Sequence, residues 1–91
     1  MKSVIPNDST EKCYICGSYR FIQEHHIFGG PDRQKSEIYG LKVHLCWHCH
    51  NTVHSKDGHD LMQMLHELGQ TEFEKTYDRE KFRKEFRKSY L

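Results

Sequence analysis

Two Cys-x-x-Cys pairs, Cys13/Cys16 and Cys46/Cys49, and two histidine pairs, His25-His26 and His50/His54, are the residues of this chain that could do chemistry. A Cys-x-x-Cys turn aims both sulfurs at one ion, and two such turns make the ligand set of a closed tetrathiolate zinc site. His50 and His54 stand four apart. On a helix both imidazoles would share one face, one turn apart, and could grip a second ion. His25 and His26 are adjacent, and adjacent side chains on a strand point to opposite faces. One can then ligate a metal while the other faces a substrate. Alone, the pair reads more simply as two polar residues on an exposed strand; the two imidazoles at helical spacing favour the functional reading.

The elements that must position these residues follow from pattern. The segment from Leu45 to His54 holds two of the four cysteines and three of the eight histidines. A helix is predicted to begin there, near His48 to Asn51. Tyr19 to Phe28 is rich in aromatic and β-branched residues and is predicted as a strand, bounded by Gly29-Gly30-Pro31-Asp32. Leu41 to Leu45 alternates apolar and polar residues and predicts a second short strand leading into the second knuckle. Gly17 suits the positive φ that the first knuckle needs. Residues 1–12 are polar, with Pro6 to Ser9 read as a turn or a loose lead-in, and 29–40 reads as a surface loop carrying Arg33, Lys35 and Glu37. Ser55 to Gly58 reads as a break. His59 to Leu68 then has Leu61, Met62, Leu65 and Leu68 at helical spacing, with Gly69 as its cap. Thr71 opens another short helix through Tyr77, and Asp78 caps a last one in which Phe82, Phe86 and Tyr90 face inward.

The chain has 91 residues, a mean hydropathy of −0.91 and only 35% hydrophobic residues, so one domain with a thin core is expected. Such domains rely on a disulfide, a metal or a partner chain. The beginning of the sequence has no apolar signal-peptide core, which favours zinc over disulfides and a cytoplasmic location. No apolar run approaches a membrane span. The net charge is only +1, but residues 79–91 carry Arg79, Lys81, Arg83, Lys84, Arg87 and Lys88 against Glu80 and Glu85. A basic final helix points to phosphate, although a merely solvated face explains it as well when taken alone.

Taken together, Cys13-x-x-Cys16, Glu24-His25-His26-Ile27, Leu45-Cys46-x-x-Cys49-His50 and His54 resemble the zinc-knuckle branch of the HNH endonucleases over residues 13–54. With Phe28-Gly29-Gly30 and Lys88-Ser89-Tyr90-Leu91 added, the whole chain is similar to small HNH-like proteins of phages. The resemblance implies an α+β fold: a treble-clef-like ββα-metal core at 13–54, and a C-terminal helical extension at 59–91 in the same domain. It implies a structural zinc on Cys13, Cys16, Cys46 and Cys49. It also implies a catalytic divalent metal (magnesium, manganese, nickel or zinc) on His25, His50 and His54, with His26 as general base. The family's middle asparagine has no match in Ile38 to His44, where His44 is the substitute to consider.

The chemistry suits these residue types independently. An imidazole can take a proton from water near neutrality, and a cation held by three neutral imidazoles keeps its full charge for a phosphodiester. Arg33, Lys35, Lys42, Arg83, Lys84, Arg87 and Lys88 are the candidate contacts to DNA. The leading expectation is a metal-dependent DNA endonuclease; strong sequence specificity would require a homodimer or a protein partner. The alternatives are a zinc-stabilised nucleic-acid- or protein-binding module with a vestigial site, and a Cys-x-x-Cys redox protein. No βαβ pattern accompanies the cysteines to support the last.

Overall fold

The computed structural model describes residues 1–91 as an α+β fold with a two-stranded antiparallel sheet and four α-helices. In chain order these are β1 (Gln23–His26), α1 (Arg33–Tyr39), β2 (Lys42–Leu45), α2 (Trp47–Val53), α3 (His59–Phe73) and α4 (Arg79–Phe86). Short 3₁₀ turns precede α1 and α3, at Gly30–Asp32 and Lys56–Gly58.

The sheet is the hinge of the architecture. Gln23 pairs with Leu45, Glu24 with His44, His25 with Val43 and His26 with Lys42. Strand alternation therefore sorts the side chains into two faces. Gln23, His25, Val43 and Leu45 share the face on which α2 packs. Glu24, His26, Lys42 and His44 form a wholly polar ladder on the other.

The apolar core lies beside the sheet. Ile27 and Phe28 follow β1 into it and meet Leu41, Leu65, Phe73, Phe82 and Phe86, all buried. The ring of Phe28 sits 4.7 Å from that of Phe86 and 5.4 Å from that of Phe82. The periodicity of Phe82 and Phe86 thus does what it predicted. Tyr90 lies beyond the end of α4, because Arg87 adopts a left-handed conformation that terminates it, and packs half-buried on Phe28 from outside the helix. Asp78 caps α4 by accepting from the Lys81 amide at 2.8 Å.

Three expectations are corrected and one open alternative is resolved. The segment 29–40 is not a loop: Arg33–Tyr39 is α1, entered after Pro31 and closed by Gly40 at φ 70°. That proline-before, glycine-after arrangement is a helix signature. The buried hydroxyl of Ser36 fixes α1 by donating to the Phe28 carbonyl and accepting from the Phe28 amide. Gly69 does not cap a helix. It lies inside α3, which runs unbroken to Phe73, and a Cβ there would come within 3.0 Å of both Ile27 and Phe28. Close approach, not chain reversal, explains this glycine. The first strand is four residues, not ten, since Phe21 at φ 49° breaks extended geometry just before it. Of the two readings of Pro6 to Ser9 the turn holds, Asp8 donating to the Ile5 carbonyl, and the segment is docked: Ile5 is in the core, Val4 donates to the Gly40 carbonyl, and Asp8 holds His44.

Candidate metal centres and their surroundings

The four cysteines converge from two knuckles of the same construction. In each, the first sulfur accepts from the amide three residues on, Cys13 from Cys16 and Cys46 from Cys49, both at 3.4 Å. Cys46 thereby caps α2, so the second knuckle and the helix start are one feature. Gly17 closes the first knuckle at φ 78°. All four sulfurs lie within 4.8 Å of one another, and none is in a disulfide. Cys16 Sγ and Cys46 Sγ are 3.7 Å apart. A tetrahedron with Zn–S bonds of about 2.3 Å has edges of about 3.8 Å, so the donor set fits zinc. Burial raises the Cys13 thiol, but the amides of Cys16, Cys46 and Ile15 outweigh it and bring it down to about 6. Burial, reinforced by the neighbouring thiols, pushes Cys49 up.

A second cluster lies between β1 and α2. Ring nitrogens of His25, His50 and His54 fall within 4.8 Å of one another. The rings approach edge to face, with His25 5.2 Å from His50 and 5.3 Å from His54. His25 is 3% exposed, and its Nε2 is buried with no hydrogen-bond partner. An orphaned buried nitrogen is costly unless something else occupies its lone pair, and it is aimed among two further imidazoles. Burial first, then the neighbouring His50 and His54, lowers the His25 pKa to about 4, keeping it neutral as a ligand must be. His50 is lowered by burial and by His54. The Gln23 side-chain oxygen takes a hydrogen bond from His50 Nδ1, which fixes the tautomer and frees Nε2 to ligate. The three residues fit a divalent cation with N donors.

His26 turns to the other face, as alternation requires. It lines only a shallow cavity, shared with Glu24, Arg33, Gln34 and Glu37. Its side chain is 9% exposed, because Glu37 on α1 reaches over to it. Glu37 also accepts from Lys42 Nζ, at 3.0 Å to each oxygen, and Lys42 pairs with Glu24 at 3.1 Å. Hydrogen bonds from the Met1 amino group, His26 and Lys42 hold the Glu37 carboxyl well below the usual carboxylate range. Glu24, His26 and Glu37 are themselves close enough to share an ion, but Lys42 already supplies their positive charge. His44 does not substitute for an asparagine beside His26: its amide and Nδ1 both donate to Asp8, at 2.7 Å each.

The basic residues divide. Lys42 is buried in ion pairs and presents no charge to a phosphate. Lys35 donates to the Glu85 carbonyl, Arg87 pairs with Asp32 at 3.0 Å, and Lys88 stands 4.6 Å over the Tyr90 ring. Arg83 and Lys84 are exposed on α4, and Arg33 lines a shallow cavity with Glu24, His26, Gln34 and Glu37. Sequence reasoning missed Gln23, Glu37 and Asp8 as partners of the histidines. A glutamate in a helical heptapeptide gave no hint of which histidine it would meet.

No protein-family profile, curated protein or solved structure matches this chain. No helix is long and apolar enough to cross a membrane.

Proposed function

We propose that this protein is a metal-dependent DNA endonuclease with a zinc-pinned ββα-metal core, β1 and β2 supplying the hairpin and α2 the helix. The orphaned Nε2 of His25, buried against His50 and His54, carries the reading. A purely structural domain has no reason to bury an unpartnered imidazole against two more accessible ones, whereas a hydrolase does. In this reading His25, His50 and His54 hold the divalent ion and Gln23 orients His50. Bound there, the ion would relieve charge on the phosphate and on the leaving oxygen.

His26 then acts as general base. The ionised Glu37 carboxylate can only accept, so His26 Nε2 carries the proton of their hydrogen bond and Nδ1 holds the free lone pair. Nδ1 takes a proton from the attacking water, and Glu37 stabilises the resulting imidazolium. This is the orienting role for which the sequence offers no asparagine. General-base assistance contributes roughly 10²–10⁴-fold. Phosphodiester cleavage in the presence of added magnesium, manganese or nickel, lost on His54→Ala with the zinc retained, is the test.

One observation favours a second reading, a zinc-stabilised binding module with an inactive site. The 9% exposure of His26 leaves little room for substrate. One tight zinc and no second bound ion would select that reading.

A further inference from the structure

The side of the zinc knuckles away from the core carries aromatic rings that the catalytic reading leaves without work. Phe21 is 80% exposed, Tyr19 73% and Trp47 58%. Phe21 is also held at φ 49°, a conformation rarely adopted by bulky side chains and retained where the surrounding structure enforces it. Phe21 and Trp47 line one cleft, together with Arg20, His48, Ser18 and Cys46. No carboxylate lines it, and Arg20 makes no ion pair. Two exposed rings in a mostly apolar cleft that also carries the Arg20 guanidinium match the chemistry of a nucleobase on its phosphodiester.

The cleft and the imidazole trio are both built on α2. Trp47, His50 and His54 stand at i, i+3 and i+7 of α2, along one stripe of the helix. Three residues of helix advance about 4.5 Å, less than the reach of one nucleotide. We propose that Phe21 and Trp47 form a stacking site for an unpaired base next to the scissile phosphate, with Arg20 on the flanking backbone. The preferred substrate is then a single strand, a flap or a distorted duplex. This rests on the nuclease reading for its geometry, but the binding itself needs no catalysis.

Trp47 is the single tryptophan of the chain and reports directly. The experiment follows its emission in zinc-replete protein, without other divalent ions, against a short oligothymidylate, an abasic oligomer of equal length and a blunt duplex. The expected result is quenching by the oligothymidylate and affinity about tenfold above that for the abasic oligomer. Phe21→Ala, at an exposed position, should remove that advantage and leave zinc content unchanged. Equal affinity for the two oligomers, or an undiminished advantage in Phe21→Ala, overturns the proposal. So does emission indifferent to every nucleic acid, as a cleft built for a protein would give. Loss of cleavage with base-dependent quenching intact would sink the nuclease reading while sparing the stacking site.

Discussion

His26 Nε2 lies 2.9 Å from Glu37 Oε1, and the two residues come from different elements, β1 and α1. Lys42, cross-strand from His26, locks the same carboxylate from the other side. The arrangement fixes which imidazole nitrogen can act as a base. Glu37→Ala is expected to lower the cleavage rate by roughly ten- to a hundredfold, less than loss of the base itself, with both metal contents unchanged. Single-turnover kinetics with metal analysis checks this; an unaltered rate would leave Glu37 a structural residue only.

The four cysteines are placed to hold one zinc, and the second knuckle also starts α2, so zinc binding and folding are expected to be one process. Cys46→Ser should lose zinc and most far-UV helical signal. An unchanged spectrum and melting temperature would show that the core stands without the ion.

For the final helix, the charges are not equivalent. Arg83→Glu together with Lys84→Glu should flatten the salt dependence of duplex binding by about 1.8 in log–log slope, at about 0.9 per phosphate contact, with fold unchanged. Arg87→Glu breaks the pair with Asp32, an exposed interaction expected to contribute up to about 1 kcal/mol of stability. Equal slopes for parent and double variant would assign Arg83 and Lys84 to solubility.

His25 links stability to pH. Its folded pKa, about 4, is below the ordinary 6.5, so the unfolded chain binds the proton first on acidification. The contribution is complete above pH 6.5 and declines as pH falls through the window from 6.5 to 4. Between pH 6.5 and 5 it amounts to roughly 2 kcal/mol. Urea unfolding of parent and His25→Gln, each with one equivalent of zinc for the four cysteines and no ion on the imidazoles, should show their stability difference shifting by about that amount against the parent. A difference constant with pH would contradict the burial of His25 as a neutral base.

Much of the site was legible because its ligands are set by local spacing. The Cys-x-x-Cys turns, the i, i+4 histidines and strand alternation of His25 and His26 depend on a few neighbouring residues and predict their own geometry. The partners were not legible, since Glu37, Asp8 and Gln23 meet their histidines only through tertiary packing. The same division holds in the fold. Phe82 and Phe86 announced a buried face, and Asp78 a cap. Gly69 misled because a glycine where a helix is closely approached by Ile27 and Phe28 looks, in sequence, like a helix end. Residues 29–40 misled because flanking glycine and proline suggested a loop, when they mark the two ends of α1.

Nicking of supercoiled plasmid by the parent and by His26→Ala, across magnesium, manganese, nickel and zinc, tests the central claim most directly. The parent is expected to nick with at least one of these ions. His26→Ala, with both metals and DNA affinity retained, should be slower by roughly 10²-fold or more. Nicking by His26→Ala at the parental rate would contradict the assignment of the base, and no nicking by the parent with any ion would contradict the nuclease itself.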